Sequence, residues 1–536
     1  MKARPGLDPA LARLADAILI PPFPGLQAPP QILAALGGGL AGITLYGHNI
    51  GSPDQLAGLT ATLRAAGPGS APPVIAIDEE GGDVTRIAHQ GGSPYPGNAA
   101  LGVIDDVALT RAVYAALGAD LAALGVTLDL APSVDVNSAA DNPVIGTRSF
   151  GAGTALVARH AAAAVTGLQS AGVAACAKHF PGHGSTRLDS HRELATVDAP
   201  VRVLAQRDLP PFAAAIAAGV RAIMPGHLRV PELTGDLPAS LSPAALSGLL
   251  RGELGFTGVI VSDGLEMRAV SDVYGIPETA VRAVLAGTDL LCLGRDQDWQ
   301  MYADVCAALV EAVSSGRMPG ERLESAAARV AELRAWSAAA PGRPPLGGLH
   351  DNESGARAGH GPHDDQSGAR AGHGPRDDQS GAQIGLAAAR RAVRVNGAPP
   401  VLGRPVVVLD RPLVVEVVPP ANMAAGAVPW GLGAWVPAAS LRRVSTGEPA
   451  ARRAAAIAGL LAEAAGRSLV IVVRDAHRYP AAAEVASVIL AARPDAVVVE
   501  MGLPGWRPPA GLYVATYGAA RTSSRAAAEL LGLTAP

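Results

Sequence analysis

The chain contains 536 residues, 49% of them apolar and 17% charged, with a formal net charge of −4. This length exceeds one ordinary domain, so two or three domains with sizeable cores are expected, and so small a charge favours neither nucleic acid nor an anionic membrane as a partner. Three cysteines cannot form a disulfide framework in so long a chain, and we expect Cys176, Cys292 and Cys306 to be reduced core thiols.

The amino-terminal stretch MKARPGLDPALARLADAILIPPFPG starts with two positive charges but has no unbroken apolar run, because Asp8, Arg13 and Asp16 interrupt it. We interpret it as an amphipathic helix and not as a signal peptide. No segment of the chain reaches about eighteen consecutive apolar residues, so no membrane span is predicted. The expected compartment is the cytoplasm.

Eight short apolar runs recur along residues 1–341, separated by Ala- and Leu-rich stretches of helical period such as 108–125. The runs are AILIPP (17–22), GITLYG (42–47), VIAIDEEGG (74–82), VTLDLAPSVDV (126–136), VAACAKHF (173–180), AIMPGHL (222–228), GVIVSDG (258–264) and DLLCLG (289–294). Buried strands that alternate with helices pair in parallel, and eight of them close a (β/α)8 barrel of the TIM type. An open doubly wound sheet is the competing fold. It is disfavoured because no run is followed by a Gly-rich phosphate turn with an acidic residue about twenty positions later.

Polar residues cluster at one end of these runs. Asp78, Lys178, His179, His227 and Asp263 lie at the last positions of a run or just beyond it. In a β/α barrel, the carboxyl ends of the strands form the catalytic face. We therefore expect these five residues to belong to one site.

A tandem repeat separates the barrel from the rest of the chain. SGARAGHGPHDDQ (354–366) is followed at once by SGARAGHGPRDDQ (367–379), and neither copy contains Val, Ile, Leu, Phe or Met. Such a segment cannot bury a core, so we predict a flexible linker over 342–385. Its histidines could bind a metal in principle, but Gly and Pro leave no fixed coordination geometry, and no metal is expected there.

Residues 386–536 are predicted to form a smaller α/β sandwich domain. Its apolar runs are PVVVLD (405–410), LVVEVVP (413–419), SLVIVVRDAH (468–477), AVVVEMG (496–502) and LYVATYG (512–518). Helical, Ala-rich segments such as 449–466 separate several of them. Asp475 and His477 are the one pair of catalytic type, and we interpret them as structure at a strand end.

The stretch KHFPGHGSTRLDSH (178–191) holds one lysine, three histidines and an aspartate. His179 and His183 have the i, i+4 spacing of zinc-binding helices, but Pro181-Gly182 between them signals a turn, which disfavours a metal site. Asp189 and His191 are two positions apart, so in an extended segment the carboxylate can hold the imidazole for proton transfer. A surface Asp–His pair without a role is the alternative.

A proton-transfer pair needs a reaction partner, and Asp263 provides a candidate. It ends a strand that is otherwise nearly all apolar, where a carboxylate is costly unless it is paired or functional. It could act as the nucleophile of a glycosyl transfer through a covalent intermediate. Asp78 and Arg86 form a charged pair of the sort that binds sugar hydroxyls.

Six motifs resemble family 3 glycoside hydrolases in order and spacing, specifically the bacterial β-N-acetylhexosaminidase branch, over most of residues 1–335. They are IDEEGGDVTR, LDLAPSVDVN, GTRSFG, AKHFPGHGSTRLDSH, IMPGHL and VIVSDGLEM. VIVVRDAHRYP and VVVEMGLPGW are similar to the family's second, α/β-sandwich domain. The combination of KHFPGHG with DSH is specific, since family 3 β-glucosidases share the nucleophile strand but generally lack this loop.

The resemblance implies that Asp263 is the nucleophile, that His191 is the acid/base and that Asp189 orients His191. It also implies a pocket for a terminal N-acetylglucosamine. The residues expected to line it are Asp78, Arg86, Arg148, Lys178 and His179, to which we add His227. His183 is interpreted as structural, and neither a metal nor another cofactor is expected.

Two positions depart from the family pattern. Residues 185–188 read STRL where relatives often carry a short acidic-polar segment, and Glu79 stands where glutamine is common. The first puts the mobility of the loop and its contacts with the leaving group in doubt. The second adds a charge beside Asp78.

The function that we expect is a retaining exo-β-N-acetylhexosaminidase that acts on a small carbohydrate substrate, in cell-wall (muropeptide) or chitooligosaccharide turnover. A phosphorylase on the same scaffold is the alternative within enzymes, because a histidine acid/base does not repel phosphate as a carboxylate would. A β-glucosidase is disfavoured by the Asp–His loop. A catalytically silent sugar-binding protein is the alternative from another class, and the intact Asp189, His191 and Asp263 argue against it.

Overall fold

The computed structural model describes residues 7–69, 71–188, 193–340, 381–401, 405–420 and 424–533. Ten strands lie in the described part of residues 7–340. In chain order they are β1 (Leu19–Ile20), β2 (Gly42–Leu45), β3 (Val74–Ile77), β4 (Leu128–Asp129), β5 (Ala174–Phe180), β6 (Ala195–Thr196), β7 (Ala222–Pro225), β8 (Leu228–Arg229), β9 (Val259–Ile260) and β10 (Leu291–Cys292).

Eight of these strands close a parallel barrel. Six form one sheet in the order β2-β3-β4-β5-β7-β9, and β1 pairs with β10. A parallel bridge between Val261 and Leu290 joins β9 to β10. On the other side, the Thr44 amide donates to Pro21 O at 3.3 Å, which joins β1 to β2. All eight predicted apolar runs contain one of these strands, so the predicted TIM-type barrel is confirmed; β6 and β8 pair with each other outside it.

Thirteen α-helices accompany the barrel strands in the described part of 7–340. They are α1 (Pro9–Asp16), α2 (Pro30–Gly37), α3 (Pro53–Ala66), α4 (Asn98–Ile104), α5 (Val107–Ala123), α6 (Thr154–Ser170), α7 (Val201–Arg207), α8 (Leu209–Ala217), α9 (Pro231–Thr234), α10 (Arg268–Tyr274), α11 (Ile276–Ala286), α12 (Trp299–Ser314) and α13 (Gly320–Ala339). A π-helical segment covers Ala244–Glu253, and 3₁₀ turns cover Gly47–Asn49, Gly146–Arg148 and Ala239–Leu241. The predicted amphipathic first helix is α1, which Asp8 caps by accepting from the Ala10 amide at 2.7 Å.

The second part of the chain folds around a six-stranded sheet. Its strands are β11 (Arg394–Val395), β12 (Leu413–Val418), β13 (Leu441–Ser445), β14 (Leu469–Val473), β15 (Val497–Glu500) and β16 (Leu512–Ala515). The order is β11-β16-β15-β14-β12-β13, and every pair is parallel except β11 with β16. The α-helices are α14 (Gly381–Ala392), α15 (Ala450–Glu463), α16 (Pro480–Ala492) and α17 (Arg521–Leu530).

This sheet is buried on both faces. Val415 and Ile471 face a core shared with α15 and α16, whereas Val414 and Val472 face a core shared with α14 and α17. Alternate residues therefore point into two different cores, as a strand with a side-chain period of two requires. The predicted α/β sandwich is confirmed.

One predicted strand of this domain is wrong. The run at 405–410 forms no strand, and Val408 is 93% exposed. Its Val406 amide instead donates to Leu530 O at the end of α17. The edge strand β13 takes a place in the sheet with the sequence LRRVS, whose two arginines give no apolar run to detect.

The tandem repeat lies outside the described residues, and α14 begins at Gly381, within the last positions of the predicted linker. Cys176, Cys292 and Cys306 are buried and form no disulfide with one another, as predicted. Among the described residues, no helix has the length and apolar character to cross a bilayer.

Candidate active site

The candidate site lies at the carboxyl ends of the barrel strands. Asp78 directly follows β3, Lys178 and His179 lie in the last part of β5, and Asp263 follows β9. Arg148 lies in the 3₁₀ turn Gly146–Arg148, on the connection between β4 and α6. The parallel pairing brings these chain ends to the same rim of the barrel, which is the face predicted from the sequence.

Four charged side chains form a continuous network there. Lys178 Nζ lies 2.6 Å from Asp78 Oδ1 and 2.7 Å from Glu80 Oε1. Arg148 donates to both oxygens of Glu80, from Nε at 2.9 Å and from Nη2 at 2.7 Å. The side chains of Lys178 and Glu80 are each 3% exposed, whereas that of Asp78 is 23% exposed. Asp78 is therefore the member through which the network reaches solvent.

The charges of this network stabilise one another. Burial alone would raise the pKa of Glu80, but Arg148 and Lys178 hold the pKa of this carboxyl well below its usual range. Burial would likewise lower the pKa of Lys178, but Asp78 and Glu80 raise it above its ordinary value. Glu80, Lys178 and Arg148 thus stay ionised in a buried place, which fixes donors and acceptors for a polar ligand.

Asp135 organises the loop that follows β5. Its Oδ2 accepts from His179 Nδ1 at 2.8 Å, and its Oδ1 accepts from the His183 amide at 2.6 Å. Burial would raise the pKa of Asp135, but His179 lowers it. Arg148 Nη2 lies 3.4 Å from His179 Nε2, so Asp135 and Arg148 contact the two nitrogens of this ring.

His183 is a buried support of this loop. Its Nδ1 lies 2.7 Å from Thr186 Oγ1. Burial, with the neighbouring His179, lowers the pKa of His183 to about 4. Gly184 packs so closely on the preceding loop that a Cβ there would lie 1.9 Å from Val136 O. Gly184, the second glycine of the stretch PGHG (181–184), is thus needed for close packing.

Asp263 and His227 both form a hydrogen bond with Gly264, in the turn after β9. The Gly264 amide donates to Asp263 Oδ1 at 2.8 Å, and His227 Nε2 donates to Gly264 O at 3.1 Å. His227 is fully buried, and its Nδ1 accepts from Ser240 Oγ at 2.7 Å. Both ring nitrogens thus contact protein atoms, which places His227 behind the Asp263 turn; that it binds sugar stays a prediction.

The segment after β3 is held by Glu79 and extends to Arg86. Glu79 Oε2 accepts from the amides of Arg86 and Ile87 at 2.7 and 2.9 Å. Burial raises the pKa of Glu79. Arg86 Nη2 lies 3.9 Å from Asp78 Oδ2 and donates to Ala424 O of the second domain at 3.1 Å. Glu79 therefore stabilises the loop by accepting hydrogen bonds from backbone amides. The sequence predicted only that Glu79 adds a charge beside Asp78.

Asp189 and His191 lie outside the described residues, and their predicted pairing stays a prediction. The structure brings Asp78, Lys178 and Arg148 together with Glu80 in one network. It brings His179 into contact with Asp135. Glu80 and Asp135 were missed as site residues, although both lie inside the quoted motifs IDEEGGDVTR and LDLAPSVDVN. A run of three carboxylates beside a strand end was the available signal for Glu80.

Comparison with known proteins assigns the barrel to a family. Residues 32–333 match the glycosyl hydrolase family 3 N terminal domain. The beta-hexosaminidase A of Pseudoalteromonas piscicida is 34% identical over 318 residues, which are 55% of this chain and 53% of that protein. This match thus spans about half the length of that relative.

Two solved structures extend the comparison. A glycoside hydrolase family 3 β-N-acetylglucosaminidase from Paenibacillus sp. str. FPU-7 is 31% identical with a TM-score of 0.81, and the match covers 98% of this chain and 97% of that one. A β-N-acetylhexosaminidase from Beutenbergia cavernae DSM 12333 is 29% identical with a TM-score of 0.55, and covers 61% of this chain but 99% of its own. The fold of the whole chain and the match of its barrel agree, and the chain belongs to glycoside hydrolase family 3.

Proposed function

We propose that this glycoside hydrolase is a retaining exo-β-N-acetylhexosaminidase that removes terminal β-linked N-acetylglucosamine from cell-wall or chitin-derived fragments. The observation that carries the proposal is the network of Asp78, Lys178, Glu80 and Arg148 on the catalytic rim. Fixed carboxylates and cations, with one partly exposed carboxylate, match the alternating donors and acceptors of sugar hydroxyls. The names of the similar proteins, a beta-hexosaminidase and a β-N-acetylglucosaminidase, support this substrate class.

The proposed reaction has two steps. An Asp263 carboxylate oxygen attacks the anomeric carbon while His191 gives its proton to the leaving oxygen, so the aglycone departs as an alcohol. His191 then removes a proton from water, which attacks the same carbon and breaks the bond to Asp263. Two displacements retain the β configuration. Asp189 would hold His191 in the tautomer that both steps require.

The first experiment measures nitrophenol release from the aryl β-N-acetylglucosaminide and from the aryl β-glucoside, each with and without phosphate. We expect release from the first substrate alone and no acceleration by phosphate. Acceleration by phosphate with formation of a sugar 1-phosphate would instead establish a phosphorylase. Absence of release from both substrates would favour a sugar-binding protein.

The second experiment tests the assigned roles with His191→Ala. Loss of a general acid/base costs about 10²–10⁴ in rate, but nitrophenol needs little protonation to leave, so the glycosyl-enzyme should form and then hydrolyse slowly. Azide needs no base, and we expect it to restore turnover and to yield a β-glycosyl azide. Asp189→Asn should show a milder form of the same pattern.

Asp263→Asn is the matched control for this rescue. An amide is a poor nucleophile, so no glycosyl-enzyme forms, and azide should not restore turnover of the retaining kind. A glycosyl azide of inverted configuration from His191→Ala, or no rescue at all, would contradict the two-step mechanism.

A further inference from the structure

The second domain contacts the barrel beside the candidate sugar pocket. Ala424 O accepts from Arg86 Nη2 at 3.1 Å, and His477 Nε2 donates to Ala140 O at 2.9 Å. Arg478 donates to Pro143 O. The last two contacts fall on the loop that leads to Arg148, so the second domain supports two of the connections that carry predicted pocket residues.

Asp83 is the centre of a further buried contact between the two domains. Its Oδ2 accepts from Thr147 Oγ1 at 2.7 Å, and its Oδ1 accepts from the Ala519 amide of the second domain at 2.7 Å. Arg474 Nη2, also of the second domain, lies 3.1 Å from Oδ2, and the side chains of Arg474 and Asp83 are 14% and 5% exposed. One carboxylate thus joins two barrel loops and the second domain.

The positions of Asp83 and Thr147 in the sequence connect this contact to the pocket. Asp83 follows Glu80 by three residues on the loop after β3, and Thr147 directly precedes Arg148. Arg148 in turn holds Glu80 with two hydrogen bonds. A displacement of Asp83 would therefore move both partners of the Arg148–Glu80 pair.

We infer that Arg474 is a positioning residue for the sugar pocket, which acts from the second domain through Asp83 and Thr147 on Glu80 and Arg148. This inference rests on the proposed function for its kinetic consequence. Arg474 contributes by geometry and by charge, because a carboxylate as buried as Asp83 must be compensated by a cation or by donors. Its guanidinium also lies 5.8 Å from the ring centroid of Trp430, which restricts it further.

The same contacts indicate a structural role for the second domain. The β-N-acetylhexosaminidase from Beutenbergia cavernae matches over 99% of its own length but over only 61% of this chain. More than a third of this chain therefore has no counterpart in that protein. We infer that the second domain here supplies from outside the barrel a support for the pocket loops.

The test replaces Arg474 by methionine, which keeps the apolar stem and removes the charge. Displacement of reacting groups by about 1 Å can cost about 100-fold in rate, so we expect kcat/KM for the aryl β-N-acetylglucosaminide to fall by about 10- to 100-fold, mostly in kcat. Arg493→Met is the matched control, because the Arg493–Asp495 pair at 2.7 Å lies within the second domain. The control should remain within twofold of the wild type.

A cycle with Thr147→Val separates the proposed route from general destabilisation. Thr147→Val removes only the hydrogen bond between the barrel and Asp83. We expect the double variant to lose no more activity than the more severely impaired single variant. Multiplied effects would mean that Arg474 and Thr147 act independently, which would overturn the inference. If Arg474→Met does not fold, Arg474→Lys takes its place, with a smaller loss of the same kind expected.

Hydrogen exchange gives a readout that does not depend on activity. We expect faster amide exchange over 143–149 in Arg474→Met and no change there in Arg493→Met, whereas a purely global loss of stability would raise exchange throughout. A folded Arg474 variant with unchanged exchange over 143–149, or with kcat/KM within twofold, would sink the inference. An inactive wild type would instead sink the proposed function, while the exchange comparison would still decide the role of Arg474.

Discussion

Lys178 and Glu80 illustrate how strongly a single residue is constrained in this site. Each is 3% exposed, and each is stabilised by the charge of the other and of Asp78 or Arg148. A buried ion that loses its partner leaves an uncompensated charge, which costs about 3–5 kcal/mol. The network is therefore expected to matter for folding as well as for sugar binding.

Lys178→Met should test both effects. We expect the free energy of unfolding in urea to fall by about 3–5 kcal/mol. The folded fraction should also bind the aryl substrate more weakly, because Asp78 and Glu80 then repel each other without the cation that joins them. Arg159→Met is the control, since the Arg159–Asp105 pair at 2.6 Å is exposed and screened by solvent, and its loss should change the free energy of unfolding far less. Equal losses in the two variants would contradict the account of the network.

His183 makes a specific prediction about pH. Its pKa falls from an ordinary 6.5 to about 4 in the folded chain. Between these values the unfolded chain binds more protons than the folded one, so stability falls as the pH falls from about 6.5 toward 4. Comparison of urea unfolding at pH 7 and pH 5 should show an extra loss of about 2 kcal/mol in the wild type relative to His183→Gln. An equal loss in both proteins would mean that His183 is not the group that titrates.

At the scale of elements, α14 shows how a helix joins the two domains. It packs on α4 and α5 of the barrel and on α17 of the sandwich. Gly381 and Gly385 lie one turn apart on its barrel face, and a Cβ at Gly385 would lie 2.0 Å from Pro94 O. The helix can approach the barrel this closely because both positions lack a side chain.

Gly385→Ala should therefore destabilise the chain although alanine is the better helix former. Gly459 in α15 is the matched control, because a Cβ there would meet nothing within 4 Å. We expect Gly459→Ala to stabilise by about 0.5–1 kcal/mol and Gly385→Ala to lower the free energy of unfolding. Thermal and urea unfolding of the two variants would measure the contrast, and a gain of stability in both would show that α14 does not depend on this contact.

At the scale of the whole molecule, contacts between described residues of the barrel and of the sandwich hold the two domains together. The Arg521 amide donates to Ser93 O at 3.1 Å, and Arg391 pairs with Asp106 at 2.9 Å. With Asp83 and Arg474, these contacts fix the sandwich against the barrel independently of the connecting chain. We therefore expect the repeat to serve only as the connection between α13 and α14.

Deletion of residues 354–379 should accordingly leave the activity per folded molecule within twofold of the wild type. The segment that remains between α13 and α14 still reaches several tens of ångströms when extended, at about 3.3 Å per residue, and polar repeats contribute little to either core. Active-site titration combined with steady-state kinetics would measure this. Loss of more than about half the activity in folded protein would show that the repeat orders the second domain over the site.

The sequence alone determined the barrel, because its signals are local. Each strand is a short apolar run between helical stretches, and parallel pairing puts all their carboxyl ends, with Asp78, Lys178, His179 and Asp263, on one face. The motifs of the family were equally visible. An exposed apolar run at 405–410 and the arginine-rich edge strand β13 escaped this reasoning, because burial there depends on neighbours that are distant in the chain.

Only the tertiary structure decided which groups neutralise one another. Glu80 meets Arg148 and Lys178, Asp135 meets His179, and Asp83 meets Arg474, over separations that range from tens to hundreds of residues. No spacing in the sequence encodes such pairs, since they form where loops from different strands converge on one rim. Charge compensation in a buried place is a property of that convergence, and it connects the candidate residues Asp78, Lys178 and Arg148 through Glu80.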